Sequence, residues 1–310
     1  MGWQERDYHR DDSGAGRGLS TAALRGRSVV FWLITINVGV FLLDKILISG
    51  GMGSQLVFTN LEGKPVSLGL MGPLELWGHF SGYFAIQNYQ AWRFLSFQFL
   101  HANFGHILFN MLGLFFFGPM VEHYLGSRRF LIFYLICGAI GSLAYLFFWA
   151  VGLILAGPLV PLIGASAGVL GVLVGAAVIA PNTTVQLLFP PIPVRLKTLA
   201  WVIVGIGVFT ILFRGFQRGS NAGGEAAHLG GCLAGYLLIR YAHVLSFVDR
   251  FSSNQGRRAV GGSSKKRNAD PAEIDRILDK VREQGIQSLS RKERKTLQSE
   301  TDRQRSGGVN

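Results

Sequence analysis

Six apolar stretches constrain this chain more than any other feature of its sequence. They cover about 29–48, 104–123, 129–154, 165–180, 197–213 and 225–247. A helix needs roughly 20 mostly apolar residues to cross the hydrocarbon core of a bilayer, so the pattern predicts six membrane-spanning helices. Only 15% of the residues are charged, against about 25% in soluble domains, which leaves too little polar surface for a soluble fold.

The basic residues lie mainly in the two tails and in the short connections between apolar stretches. Six spans place most of these connections on one side of the membrane, and the positive-inside rule then predicts two cytoplasmic termini. We therefore expect a multi-pass protein of the inner (plasma) membrane. Although the net charge is +12, this distribution indicates contact with membrane lipids and their anionic headgroups, and no nucleic-acid partner is expected. Cys137 and Cys232 lie in apolar stretches and are interpreted as packing residues.

Composition divides the chain into four regions. Residues 1–27 are polar and rich in glycine, which predicts a disordered cytoplasmic N-terminal tail. Residues 28–247 form the predicted six-span domain, in which 49–103 contains glycine, proline and aromatic residues without a spanning run. That segment is expected to be an interfacial first loop. A basic linker over 248–269 and a small helical cytoplasmic extension over 270–305 complete the chain.

The extension contains several helix-boundary signals. Asp270 is a candidate N-cap before Pro271, Gly285 is a candidate C-cap, and Ser290 with Glu293 forms a capping-box pattern. A short helical hairpin is predicted, with apolar residues at helical spacing. Two roles remain open, docking onto a protein partner or serving as a weakly structured solubilising tail. The apolar residues are Ile274, Ile277, Leu278 and Val281.

Polar residues inside predicted spans are costly and indicate function. Ser166 opens the fourth stretch between Gly164, Ala165 and Ala167. A serine at a helix start is either an N-cap or, with small neighbours that admit another chain, a nucleophile beside the free N–H groups of the helix N-terminus. Both interpretations stay open on this motif alone.

A second polar residue, His228, lies in the sixth stretch. Gly231 and Gly235 follow three and seven residues later, so they share a face with His228 that can pack tightly against another helix. The fourth stretch has its own ladder of small residues. If the two ladders pack together, His228 can come within hydrogen-bond reach of Ser166, as a nucleophile and its base require. The ladder of the fourth stretch consists of Ala167, Gly171 and Gly175.

The third polar group is His106 with Asn110, four residues apart at the start of the second stretch. Both side chains donate hydrogen bonds without a fixed charge, which suits an oxyanion site. A metal site is the alternative, helped by nearby His101, but no acid lies at ligand spacing and the H-E-x-x-H pattern is absent. No metal or other cofactor is therefore expected.

Taken together, these motifs resemble the rhomboid family of intramembrane serine proteases, in its bacterial type with a six-span core. The resemblance runs from about 28 to 247, and its order of motifs is specific although each one is weak alone. The motifs are Trp92-Arg93, His106 with Asn110, Glu122-x-x-x-Gly126-Ser127, Gly164-x-Ser166, and Ala227-His228-x-x-Gly231-x-x-x-Gly235.

The resemblance implies an all-α polytopic fold, a six-transmembrane-helix bundle, with Ser166 as nucleophile and His228 as general base. It also implies an oxyanion hole formed by His106, Asn110 and the backbone N–H of Ser166. No carboxylate is expected to orient the histidine, so the resemblance implies a catalytic dyad. Transmembrane protein substrates would be cleaved through an acyl-enzyme. The residues with an implied structural role are Trp92, Arg93, Glu122, Gly164, Gly231 and Gly235.

Two positions depart from the family pattern. Ala167 stands where glycine usually follows the serine, and Leu170 stands where an aromatic residue often stacks on the histidine. The main alternative function is that of a catalytically silent relative that binds or delivers membrane proteins, although such relatives typically lack the serine or the histidine. A transporter is disfavoured because the chain has no internal repeat.

Overall fold

A computed structural model of the chain describes residues 28–59, 65–154, 159–187, 191–217, 221–249 and 271–298. It divides into two compact units, Met1–Arg250 and Phe251–Asn310. The predicted tail over 1–27 lies outside the described residues, and so does the predicted linker except for 248 and 249. Asp270, the candidate N-cap of the extension, also lies outside them.

The first unit is built from helices whose bounds lie close to the predicted stretches. The sixth prediction, about 225–247, is wrong at its end, because the helix begins at Ala222 but already ends at Arg240. There the chain turns by 82° into Ala242–Asp249. The apolar pattern continues past the turn because Leu245 is fully buried from the following 3-10 turn. The helices are α1 (Val29–Leu47), α2 (Pro73–Gly78), α3 (Arg93–Ser96), α4 (Phe104–Leu125), α5 (Ser127–Ala150), α6 (Ser166–Ile179), α7 (Leu196–Arg214) and α8 (Ala222–Arg240).

The long helices are those of a membrane protein. Among the described residues, four are long and apolar enough to cross a bilayer, namely α1 with its π-helical end (Val29–Met52), α4, α5 and α7. Helix α8 also has 19 residues but is apolar enough only together with its bent continuation, and α6 has 14 residues. Large apolar side chains such as Trp201 are 75% exposed on α7, where a water-soluble protein would not accumulate them. The predicted all-α polytopic fold is confirmed.

Helix α6 lies at the centre of the first unit. Ten of its 14 residues are buried, and it contacts α4, α5, α7 and α8. Its small residues permit this close approach, because a Cβ on Gly168 would lie 2.7 Å from the ring of Tyr134 on α5. A Cβ on Gly171 would lie 2.7 Å from Sγ of Cys137. Van der Waals packing of this kind associates helices where lipid supplies no hydrophobic drive.

The described part of the connection between α1 and α4 contains regular structure and contacts the helices. Asp44 near the end of α1 accepts the backbone N–H of Leu74 at 2.9 Å, which ties α2 to α1. The loop also contains a β-hairpin that was not predicted, although two short apolar runs around a Gly-containing turn are a hairpin signal. Antiparallel hairpins join β1 (Ser54–Thr59) to β2 (Pro65–Met71) and, between α6 and α7, β3 (Thr184–Gln186) to β4 (Pro193–Arg195).

The second unit matches the predicted helical hairpin in its described part. Helix α9 (Pro271–Gln284) is followed by Gly285 at φ 79° and by a second helix, α10, over 291–298. Ser290 and Glu293 form the predicted capping box, with backbone N–H donors at 2.8 and 3.3 Å. Hydrogen bonds from Ser290, then Lys280, lower the pKa of Glu293 to about 2. Ile277 is buried, whereas Leu278 is 48% exposed.

Candidate active site

Ser166 is the first residue of α6, at the end of a turn that only glycine can make. Gly164 has φ 129°, a backbone conformation that strains any residue with a Cβ. A Cβ there would also lie 2.7 Å from Nε2 of His106. As the first residue of the helix, Ser166 has a backbone N–H without an intrahelical acceptor. The turn therefore presents the hydroxyl and a free N–H group together.

Close packing of α8 on α6 places His228 beside this hydroxyl. A Cβ on Gly231 would lie 2.1 Å from the carbonyl oxygen of Ala167, and one on Gly235 would lie 2.3 Å from that of Gly171. These are the two predicted ladders in direct contact. As a result, Oγ of Ser166 lies 2.7 Å from Nε2 of His228, which is a hydrogen-bond distance.

The second nitrogen of the same ring contacts a carboxylate. Nδ1 of His228 lies 3.1 Å from Oε2 of Glu225, one helical turn earlier on α8. The resemblance implied a dyad without a carboxylate, whereas in the structure a carboxylate contacts the histidine. Glu225 was missed because the resemblance describes a dyad, yet an acid in a largely apolar helix, three residues before a histidine, is a signal in the sequence itself.

His106 and Asn110, the predicted oxyanion donors, lie on α4 and line one cavity with Ser166 and His228. The cavity has a volume of about 1160 Å³. Asn110 Nδ2 donates one hydrogen bond to the backbone carbonyl of His106 at 2.8 Å. The second N–H of the amide stays available for another acceptor.

A further histidine, His101, lies behind the turn that presents Ser166. The backbone N–H of Ala165 points to its Nε2 at 3.5 Å, so the ring acts as an acceptor and is neutral. Burial, and then the proximity of His106, lower the pKa of His101 to about 3, in agreement with a neutral ring. Among the described residues, no group of three or more His, Cys, Asp or Glu side chains is arranged to hold a metal ion.

Arg93 and Trp92 lie in the first loop, away from this cavity. The guanidinium of Arg93 is buried and donates to the carbonyls of His79 at 2.6 Å and Leu76 at 3.0 Å. Trp92 stacks on Trp77 with ring centroids 5.6 Å apart. Both side chains thus hold together segments that are distant in sequence.

Glu122 also lies outside the cavity, near the end of α4. Its carboxylate accepts the backbone N–H groups of Val29 at 2.8 Å and Val30 at 3.2 Å. The hydroxyl of Ser127 donates to the same carboxylate at 2.6 Å. Glu122 therefore caps the N-terminus of α1 from a distant part of the chain, where free N–H groups and the helix dipole favour an anion.

Comparison with known protein families identifies the family of this chain. Residues 88–244, about half of the chain, match the Rhomboid domain family. The chain belongs to the rhomboid family. Residues 263–300 match a separate family of unknown function, DUF6576, and this segment includes α9 and α10.

Several curated relatives are named as rhomboid proteases. Rhomboid-like protease 3 of Toxoplasma gondii is 28% identical over 51% of this chain and 54% of its own length. Rhomboid protease GluP of Bacillus subtilis is 32% identical over 47% of this chain and 25% of its own length. Rhomboid protease GlpG of Haemophilus influenzae is 39% identical over 17% of this chain and 28% of its own length. The chain thus spans about half or less of the length of these relatives.

The departures from the rhomboid pattern have a structural context here. A Cβ on Gly141 of α5 would lie 2.7 Å from the methyl group of Ala167. The space for this methyl group is therefore provided by a glycine on the neighbouring helix, and Ala167 remains 1% exposed. Leu170 lines the cavity and packs against the apolar core.

Proposed function

We propose that this rhomboid-family chain is an intramembrane serine endopeptidase with Ser166 as nucleophile and His228 as general base. The observation that carries the proposal is the 2.7 Å distance from Ser166 Oγ to His228 Nε2, beside a large cavity in a membrane protein. A nucleophile within hydrogen-bond reach of a base is the arrangement that acyl transfer requires. The protease names of several relatives support the same reaction class.

In the first half of the reaction, Ser166 Oγ attacks the carbonyl carbon of the scissile peptide bond as its proton passes to His228 Nε2. The C–N bond then breaks, and the same proton moves from Nε2 to the departing amine. The product of this half is an acyl-enzyme in which the substrate carbonyl is esterified to Ser166.

Hydrolysis of the ester reverses these roles. Water gives a proton to His228 Nε2 and attacks the acyl carbon, and the proton returns to Oγ as the ester bond breaks. In both halves, negative charge develops on the carbonyl oxygen. The backbone N–H of Ser166 with the side chains of His106 and Asn110, which line the same cavity, are the proposed donors to this oxyanion.

The expected substrates are transmembrane proteins cut near a membrane boundary. Helix α6 has 14 residues, which gives a length of about 21 Å at 1.5 Å per residue. The hydrocarbon core is about 30 Å thick, so a helix of this length begins or ends inside it. If α6 ends near the cytoplasmic boundary, Ser166 at its start lies below the opposite boundary. The cavity then supplies the water that hydrolysis needs.

For topology, we propose that α1, α4, α5, α6, α7 and α8 cross or enter the membrane and that both termini are cytoplasmic. The arginines near the α4–α5 turn and at the start of α7 support this orientation. It predicts that a membrane-impermeant thiol reagent added to intact cells labels Tyr89→Cys, which replaces an 88% exposed side chain in the first loop. Labelling of His123→Cys instead would show that the orientation is reversed.

With both termini in the cytoplasm, the C-terminal hairpin lies there too, and we propose that it binds a protein partner.

The proposal is tested with purified protein in detergent and a transmembrane reporter substrate, using Ser166→Ala and His228→Ala. Both changes should reduce cleavage to the background of the reporter, and a fluorophosphonate probe should label the wild type but not Ser166→Ala. Ser142→Ala is the control, because Ser142 is a buried serine of α5 whose hydroxyl donates to the carbonyl of Ala139 in its own helix. His123→Ala, which removes an exposed imidazole, is the control for His228.

A catalytically silent, binding rhomboid relative is the second candidate function. It predicts a folded wild-type protein that cuts no reporter and takes up no fluorophosphonate, while still retaining transmembrane proteins. That result would exclude the peptidase. Ala167→Gly, which restores the usual residue after the serine, would then show whether the methyl group blocks the reaction.

A further inference from the structure

One imidazole connects two functional groups in this site. His228 faces Ser166 Oγ at 2.7 Å through Nε2 and Glu225 Oε2 at 3.1 Å through Nδ1. An ionised carboxylate only accepts hydrogen bonds, so Nδ1 must carry the proton that joins them. Nε2 is then unprotonated, which leaves it free to accept the hydroxyl proton of Ser166.

We propose that Glu225 is a positioning residue that fixes the tautomer and orientation of His228. The site would then be a Ser–His–Glu triad rather than a dyad. This inference rests on the peptidase function proposed above and adds a residue to its mechanism. Glu225 does not line the cavity, contacts Nδ1 of His228 rather than Ser166, and acts only through the imidazole.

The packing around Glu225 holds its carboxylate toward the ring. The side chain is only 19% exposed, similar to the 21% of His228. On the side of α7, a Cβ on Gly207 would lie 3.4 Å from Oε2 of Glu225 and 3.0 Å from the side chain of Leu229. Among the described residues, His228 is the only side chain that pairs with this carboxylate. Because the carboxylate of Glu225 is partly buried and has this one partner, the packing directs it toward the imidazole of His228.

The carboxylate has a defined task during acylation. When the Oγ–H proton reaches Nε2, the ring becomes an imidazolium with a proton on each nitrogen. Glu225 remains ionised, takes no proton and accepts from Nδ1–H, so its charge stabilises the cation that forms as the Oγ–C bond forms. When Nε2 passes its proton to the departing amine, the ring returns to the starting tautomer.

A structural role for Glu225 has to be separated from this one. Glu225 also lies in the first turn of α8, where an acid stabilises the helix dipole whether or not it contacts a histidine. Loss of such a role lowers the melting temperature and disturbs substrate binding and turnover together. Loss of a positioning role lowers kcat while KM stays unchanged, because the histidine acts in the chemical step.

The test compares wild type with Glu225→Gln, Glu225→Ala and Glu225→Asp on a transmembrane reporter in detergent. Glu225→Gln keeps the size of the side chain and removes the charge, and Asp249→Asn is the control for an acid distant along the chain. We expect kcat to fall about 10²-fold in Glu225→Ala, with KM within about twofold. Fluorophosphonate labelling of Ser166 should slow in parallel. Glu225→Asp should recover part of the rate because it restores a carboxylate.

The outcomes separate this inference from the proposed function. If wild type cuts no reporter and takes up no probe, the peptidase proposal fails and this inference fails with it. If wild type is active while Glu225→Gln and Glu225→Ala retain kcat within about twofold, only the role of Glu225 is refuted. The positioning role would also be refuted if kcat falls, KM rises and the melting temperature falls together, and if Glu225→Asp recovers none of these. Glu225 would then have only a structural role.

Discussion

Gly231→Ala tests whether helix packing sets the geometry of the Ser166–His228 pair. The added Cβ would lie 2.1 Å from the carbonyl oxygen of Ala167, whereas ordinary contacts begin at 3.4 Å. The two helices must therefore separate by about 1.3 Å at this level. His228 lies one turn away on the same face, so a similar shift would lengthen its 2.7 Å contact with Ser166 to about 4 Å, beyond hydrogen-bond reach.

The expected consequence is a large loss of activity with a smaller loss of stability. A displacement of about 1 Å in a catalytic group can cost about 10²-fold in rate, so kcat should fall by about that factor. Overpacking of a close contact costs about 1–3 kcal/mol, which should lower the melting temperature by a few degrees while the protein remains folded. Both quantities can be measured on one detergent preparation, by reporter cleavage and by thermal unfolding.

A matched control uses a glycine with free space around it. A Cβ on Gly205, on α7, meets nothing within 4 Å, and Gly205→Ala should leave kcat and the melting temperature close to wild type or slightly higher. Wild-type kcat in Gly231→Ala would show that α8 can move without moving His228, and it would refute the reasoning that the small-residue contact positions the base.

Three further predictions follow from the same structure. Gly164 has φ 129°, and the Cβ added in Gly164→Ala would lie 2.7 Å from the ring of His106. We expect kcat to fall about 10²-fold, comparable with the loss of one oxyanion donor. Unchanged cleavage would argue against a role for this contact. Arg93→Ala leaves two backbone carbonyls of the first loop without their buried donor. The free energy of unfolding should fall by about 2–4 kcal/mol, which is measured as a lower melting temperature. Burial lowers the pKa of His101 to about 3 and that of His79 to about 4, so below about pH 6.5 the unfolded chain binds protons that the folded chain excludes. Stability should therefore be full above that pH and fall as the pH drops toward these lowered values. In His101→Gln, the decrease in melting temperature from pH 7 to pH 5 should be smaller than in wild type but not absent, because His79 remains; an equal decrease would contradict the assignment.

The apolar stretches and small residues determined much of this protein without reference to its tertiary structure. A run of apolar residues leaves a helix as the only way to satisfy its backbone groups in lipid, and the helix bounds therefore lay near the predicted ones. The ladders containing Gly171 and Gly235 indicated that α6 and α8 can approach closely, since small residues permit backbone contact. Local signals at Gly285 and Ser290 likewise predicted the ends of the C-terminal helices.

Only the tertiary structure decided which polar groups meet. Two partners of Glu122, the backbone N–H groups of Val29 and Val30, lie 93 and 92 residues away, and nothing local to its motif specifies them. The distance between Ser166 and His228 depends on how deeply α8 packs onto α6. Whether Glu225 faces the imidazole or solvent depends on α7, where Gly207 leaves room for the carboxylate. Such contacts arise from the packing of several helices at once, and the spacing of residues along one helix restricts their geometry without fixing it.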